Sequence, residues 1–174
     1  MGSSWQSLWK YLVGVAACLV LGAIAFLREQ PVPLLEQVNL GIHEAGHLVA
    51  ILLPPAAMAA MGSIAQVAVP LLIAAYFLAH GERLGAGLCL AWAGTSARDV
   101  SVYIADAPYE RLQLIGGEHD WARVLGPAHC DCLERAGDLA GIVHGAGFVL
   151  VLLGVLACAL GPLRAAPRQP AAGV

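Results

Sequence analysis

Five apolar runs, punctuated by prolines and short polar clusters, restrict what this chain can fold into. They cover roughly residues 9–27, 34–53, 62–79, 84–104 and 139–160. Each is close to the ~20 residues that a helix needs to cross a bilayer. Arg28-Glu29-Gln30-Pro31 ends the first run, Pro54-Pro55 the second, and His80-Gly81-Glu82-Arg83 the third. Inside a bilayer every backbone N–H and C=O must be satisfied within the protein, which favours helices for runs of this length. Only 12% of the 174 residues are charged and 59% are hydrophobic, whereas a soluble domain carries about 25% charge. The expected fold is an all-α, polytopic membrane bundle of about five transmembrane helices. It forms one domain over residues 1–160, with a polar segment, 107–138, between the fourth and fifth helices. The Ala- and Pro-rich tail, 161–174, is expected to be disordered.

A net charge of -3 excludes a nucleic-acid partner. The bilayer is the expected partner, with a membrane-protein or peptide substrate. With five crossings, Lys10, Arg111, Arg123 and Arg135 would share one side and Arg28, Arg83, Arg164 and Arg168 the other. Basic residues therefore do not orient the chain. The five cysteines show no secreted disulfide framework. Cys18, Cys89 and Cys158 lie in apolar runs, where a thiol packs as a small hydrophobe. The C-x-C pair Cys130 and Cys132 follows His129, but no second pair completes a metal site.

The second run holds His43-Glu44-Ala45-Gly46-His47, an H-E-x-x-H motif. On a helix the two histidines share a face one turn apart and can bind one ion, and the glutamate is placed to take a proton from a water that the ion activates. Ionisable groups in an apolar span are costly, so a metal centre is a better account of them than chance. The duller reading is a polar patch that bonds between helices, with Gly46 letting a neighbouring backbone approach.

A catalytic zinc ion takes about three protein ligands and keeps a position open. His43 and His47 supply two, and His119 is the favoured third. Asp106 and Asp120 are the next candidates, as ligands or as groups that orient one. Asp120 is alternatively an N-cap for the segment at Trp121, and Asp106 a turn residue ahead of Pro108. Asp99, Tyr103 and Asp106 fall at i, i+4 and i+7 and share a helix face. Glu44 is the expected general base. Gln66, alone in an apolar run, either touches substrate or bridges two helices. Arg98 and Asp99 form an expected ion pair, and His144 is expected to pack or hydrogen-bond within the bundle.

Beyond the motif, residues 38–47, Gln66, Pro70, the Val100–Ala107 block around Tyr103 and Asp106, and His119-Asp120-Trp121 resemble a family of small bacterial membrane proteins. That resemblance covers about residues 36–150 and implies a multi-pass protein of the inner membrane. An H-E-x-x-H within a membrane helix is also distantly similar to the site-two-protease class of intramembrane zinc metallopeptidases. The similarity implies Zn2+ on His43 and His47, a water-activating Glu44 and a later aspartate as ligand. The class carries that aspartate in an Asn-Pro-Asp-Gly or Leu-Asp-Gly setting. Neither occurs here, and Asp106, in Ile104-Ala105-Asp106-Ala107-Pro108, is the residue the resemblance offers. The expected activity is that of a membrane-embedded zinc hydrolase. A non-catalytic metal sensor, carrier or assembly factor, and a lipid amide or ester hydrolase, are the alternatives.

Overall fold

The computed structural model describes residues 2–114 and 118–161, with side chains from residue 8 onward. The tail expected to be disordered lies, from residue 162, outside the described residues. The described chain forms six α-helices and no strand. Helix α1 (Gly2–Gly22) runs on through a π-helical turn, Ala23–Leu27. Then come α2 (Leu35–Val49), α3 (Pro55–Ala79), α4 (Arg83–Asp106), the short α5 (Asp120–Leu125) and α6 (Ala136–Leu160).

Three stretches are long and apolar enough to cross a membrane: Leu8–Leu27, Pro55–Ala79 and Leu133–Leu160. Helix α2 is only 15 residues, about 22 Å at 1.5 Å per residue, short of the ~30 Å hydrocarbon core. Helix α4 has the length, at 24 residues, but holds Arg98 and Asp99 in its second half. The sequence placed the start of α3 at residue 62, but the helix begins at Pro55. Proline at the first helical position needs no N–H partner and has its φ preset, so Pro54-Pro55 starts α3 as well as closing the run before it.

The packing is inverted relative to a soluble bundle. The buried apolar positions are mostly alanine, with Cys18 and Cys158, while Leu12, Leu19, Val20, Leu72, Ile142, Val149, Leu152 and Leu156 face outward. Large apolar side chains outside and small ones between helices suit a lipid surround, where helices associate through close backbone contact. The tightest seam joins α4 to α6. A Cβ on Gly147 would lie 2.7 Å from the Gly94 carbonyl oxygen, and one on Gly154 2.6 Å from that of Gly87. Neither carbonyl can move aside, because each belongs to a helix.

At one end of the bundle Val100, Ile104, Ala107, Leu125, Ala136 and Ala140 form a core that carries α5 across the ends of α4 and α6. The indole of Trp121 donates to Ser63 Oγ at 3.0 Å, tying α5 to α3. Cys130 and Cys132 are joined by a disulfide in the turn between α5 and α6. Gly147→Ala and Gly154→Ala are expected to destabilise the bundle by about 1–3 kcal/mol each through overpacking. Gly141→Ala, which meets nothing within 4 Å, should be neutral or gain up to about 1 kcal/mol from helix propensity. Thermal unfolding in detergent measures all three.

Candidate metal centre

Helices α2 and α3 run antiparallel and unusually close. A Cβ on Gly46 would sit 2.6 Å from the Met61 carbonyl oxygen, so only glycine allows this approach. The approach brings both histidines of the motif over α3. His43 Nδ1 lies 3.3 Å from Gln66 Oε1, and His47 Nδ1 lies 2.9 Å from the Met58 carbonyl oxygen. A carbonyl only accepts, so His47 carries its proton on Nδ1 and presents the lone pair of Nε2; the Gln66 amide oxygen sets the same tautomer at His43.

The two Nε2 atoms converge on one carboxylate oxygen. Asp120 Oδ2 is 3.1 Å from His43 Nε2 and 3.2 Å from His47 Nε2. His43, His47 and Asp120 thus offer three ligand atoms, all within 4.8 Å of one another. With both imidazoles protonated on Nδ1, three lone pairs meet here, an arrangement that a cation between them, either a proton or a metal ion, would satisfy. The two histidine–carboxylate separations are close to the roughly 3.3 Å expected between ligands bound about 2.0–2.1 Å from a tetrahedral ion. Gly62 on α3 leaves the space: a Cβ there would lie 2.6 Å from both Nε2 atoms.

Tyr103 holds Asp120 in place. Its hydroxyl accepts from the Asp120 backbone N–H at 3.0 Å and donates to Asp120 Oδ2 at 3.3 Å. The Tyr103 ring lies over that of His119, with centroids 4.3 Å apart. His119 itself, the ligand favoured by the sequence, is placed elsewhere. It is the N-cap of α5, its Nδ1 accepting from the Ala122 N–H at 3.2 Å. Its buried Nε2 has an Asp106 oxygen at 3.4 Å but outside hydrogen-bond geometry. Asp106 does not approach the histidine pair. Its carboxylate accepts from the Arg111 and Leu112 N–H groups at 2.9 and 3.0 Å, which closes the turn after α4. The duller reading offered for Asp106, a turn residue, is the geometry seen, while the N-cap role offered for Asp120 belongs to its neighbour His119.

The cluster opens onto a cavity of about 630 Å³ between α2, α4 and the segment leading to α5. Glu44 and Tyr103 line it together with His43, His47 and Asp120, and Glu36, Asn39, Arg98 and Asp99 line the same space. Arg98 Nη1 meets Asp99 Oδ1 at 3.3 Å, the pair expected from sequence. Asn39 Oδ1 accepts from Trp92 Nε1 at 2.8 Å and Ser96 Oγ at 3.1 Å, fixing α2 to α4. His144 packs edge-on against Phe26 and lies 3.4 Å from Ser101 Oγ, within the bundle and away from the cluster. Sequence reasoning did not reach the Met58 carbonyl or Gly62. A backbone acceptor leaves no mark on residue identity, and the one signal for Gly62 was a glycine four residues before the lone Gln66.

No protein-family model, curated protein or solved structure matches the chain.

Three substitutions test the centre. Asp120→Ala should abolish binding of one divalent ion per chain, while His119→Ala should keep stoichiometric binding with affinity lowered about 10-fold, as for loss of a group that orients a ligand. Gly62→Ala should weaken binding about 100-fold with helicity unchanged, because its Cβ intrudes on both imidazoles. Calorimetric titration with Zn2+, with circular dichroism on the same samples, checks all three.

Proposed function

We propose that this chain is a multi-pass membrane protein that holds one zinc ion on His43, His47 and Asp120 and hydrolyses a peptide bond, with Glu44 as general base. The observation that carries the reading is the convergence of two Nε2 lone pairs and one carboxylate oxygen beside a cavity that Glu44 also lines. The ligand set favours zinc over calcium or magnesium, which prefer oxygen donors. Three protein ligands are the number that catalytic sites use; structural sites close the shell with a fourth.

A bound zinc ion would supply Lewis acidity, polarising a carbonyl and acidifying a water. The residues of this chain do the rest. Gln66 and the Met58 carbonyl keep both imidazoles in the tautomer that exposes Nε2. Tyr103 fixes Asp120. Glu44 takes the proton from the attacking water and returns it to the leaving amine, so the proton count closes over one turnover. The cavity is within the 300–1,000 Å³ of ordinary small-ligand pockets, and it fits a few residues of an extended chain better than an intact helix about 10 Å across.

A purified sample should carry near-stoichiometric zinc. Glu44→Gln should retain that zinc and lose at least about 100-fold in peptide cleavage, the low end for loss of a general base. Full activity in Glu44→Gln would remove the general-base role. Equal retention of zinc in His43→Ala would remove the centre.

A further inference from the structure

The two ends of the bundle differ, and the difference orients the candidate centre. At one end lie the start of α1, the turn between α3 and α4, and the end of α6. Tyr11 packs against Gly161 and Leu84 against Gly14, and Arg83 Nη1 donates to the Leu160 carbonyl at 3.3 Å. At the other end lie the close of the π-helical turn, the start of α3, the close of α4, α5 and the start of α6. There Phe26 meets His144 and Trp121 meets Ser63. Helix α1 therefore runs from the first end toward the second, and α3 runs back.

Helix α2 lies between them in sequence and does not cross. His47, Gly46 and His43 pair in turn with Met58, Met61 and Gln66, so α2 closes beside the start of α3, at the second end. Four residues into α2, Asn39 bonds to Trp92 and Ser96, in the middle of α4. Helix α2 thus begins at mid-depth and rises to the second end, which its length of about 22 Å allows. That leaves four crossings, α1, α3, α4 and α6, and places residue 10 on the same side as the 80–83 turn. Five crossings would put them on opposite sides.

Among the described basic residues Lys10 and Arg83 stand at the first end and Arg28, Arg111, Arg123 and Arg135 at the second, while Arg164 and Arg168 lie outside the described residues, so the basic residues do not choose the orientation. The Cys130–Cys132 disulfide does. It lies at the second end, where Cys132 packs against the core formed by Ile104, Leu125 and Ala136, and Cys130 is exposed. An exposed disulfide persists in an oxidising compartment and is reduced in the cytosol. Asp120 opens the helix that the same turn closes, so the disulfide and the candidate centre share an end.

We propose that the candidate metal centre faces the oxidising, extracytoplasmic side of the membrane, at the mouth of a four-crossing bundle, and takes its peptide substrate from that side. The substrate part rests on the hydrolase reading above; the topology does not. The test is labelling with a membrane-impermeant maleimide in intact cells. Lys10→Cys, Glu82→Cys and Tyr109→Cys are each placed at an exposed position, in a chain whose Cys130 and Cys132 are replaced by serine. Tyr109→Cys should label in intact cells, and Lys10→Cys and Glu82→Cys only after permeabilisation. Opposite behaviour of Lys10→Cys and Glu82→Cys would overturn the four crossings. Labelling of Glu82→Cys but not Tyr109→Cys in intact cells would overturn the orientation.

The unaltered chain gives a second measurement that needs no substitution. In intact cells Cys130 and Cys132 should resist alkylation until an impermeant phosphine reductant is added, and then gain two adducts. Alkylation without reductant would overturn the disulfide argument. Zinc binding and peptide cleavage in detergent do not depend on which side faces which compartment. A failed topology and a failed hydrolase reading therefore give different results.

Discussion

The approach of α2 to α3 governs the rest of the site. Gly46 lets the two backbones meet, and Gly62 then lies directly beneath the two imidazoles. Because the helices are this close, His43 and His47 reach fixed acceptors on α3, one a side-chain amide and the other a backbone carbonyl. Those bonds decide which ring nitrogen is free. A looser pair of helices would leave the rings to rotate, and two histidines one turn apart would be a polar patch without a defined ligand direction. Further along α3, the missing N–H of Pro70 leaves the carbonyl of Gln66, four residues back, without a helical donor.

A second layer acts from α4. Tyr103 contacts Asp120 twice, through the backbone N–H and through the carboxylate. It also lies over His119, which caps α5. Cap, ring contact and hydroxyl together set the rotation of a six-residue helix that would not be stable alone. The disulfide closes the turn after that helix, and Trp121 anchors it to α3. Asp120, carried on the shortest helix, is thus held by Tyr103 directly and by Trp121 and His119 through its neighbours.

The polar groups of α4 make sense in this setting. Thr95, Ser96, Arg98 and Ser101 are buried and face the interior, while the outward surfaces carry Leu, Val and Ile. Asn39 and Arg98 are costly in an apolar interior unless paired, as Asn39 is with Trp92 and Arg98 with Asp99. The bonds of Asn39 to Trp92 and Ser96 keep α2, which does not cross the bundle, fastened to a helix that has the length to do so.

The helical class and the pairing of His43 with His47 were legible in the chain, because periodicity, hydropathy and the i, i+4 spacing of the two histidines are local properties. The sequence named Gln66, Tyr103, Asp106, His119 and Asp120 as relevant, yet not their roles. Neighbouring residues on a short helix point in different directions, and which of His119 and Asp120 faces the histidine pair depends on how α5 is rotated. That rotation comes from Tyr103 and Trp121, remote in the chain. The same holds for α2. Its run of apolar residues reads as a span, but its depth is set by Asn39 against α4 and by His47 against Met58, contacts that only the tertiary structure makes.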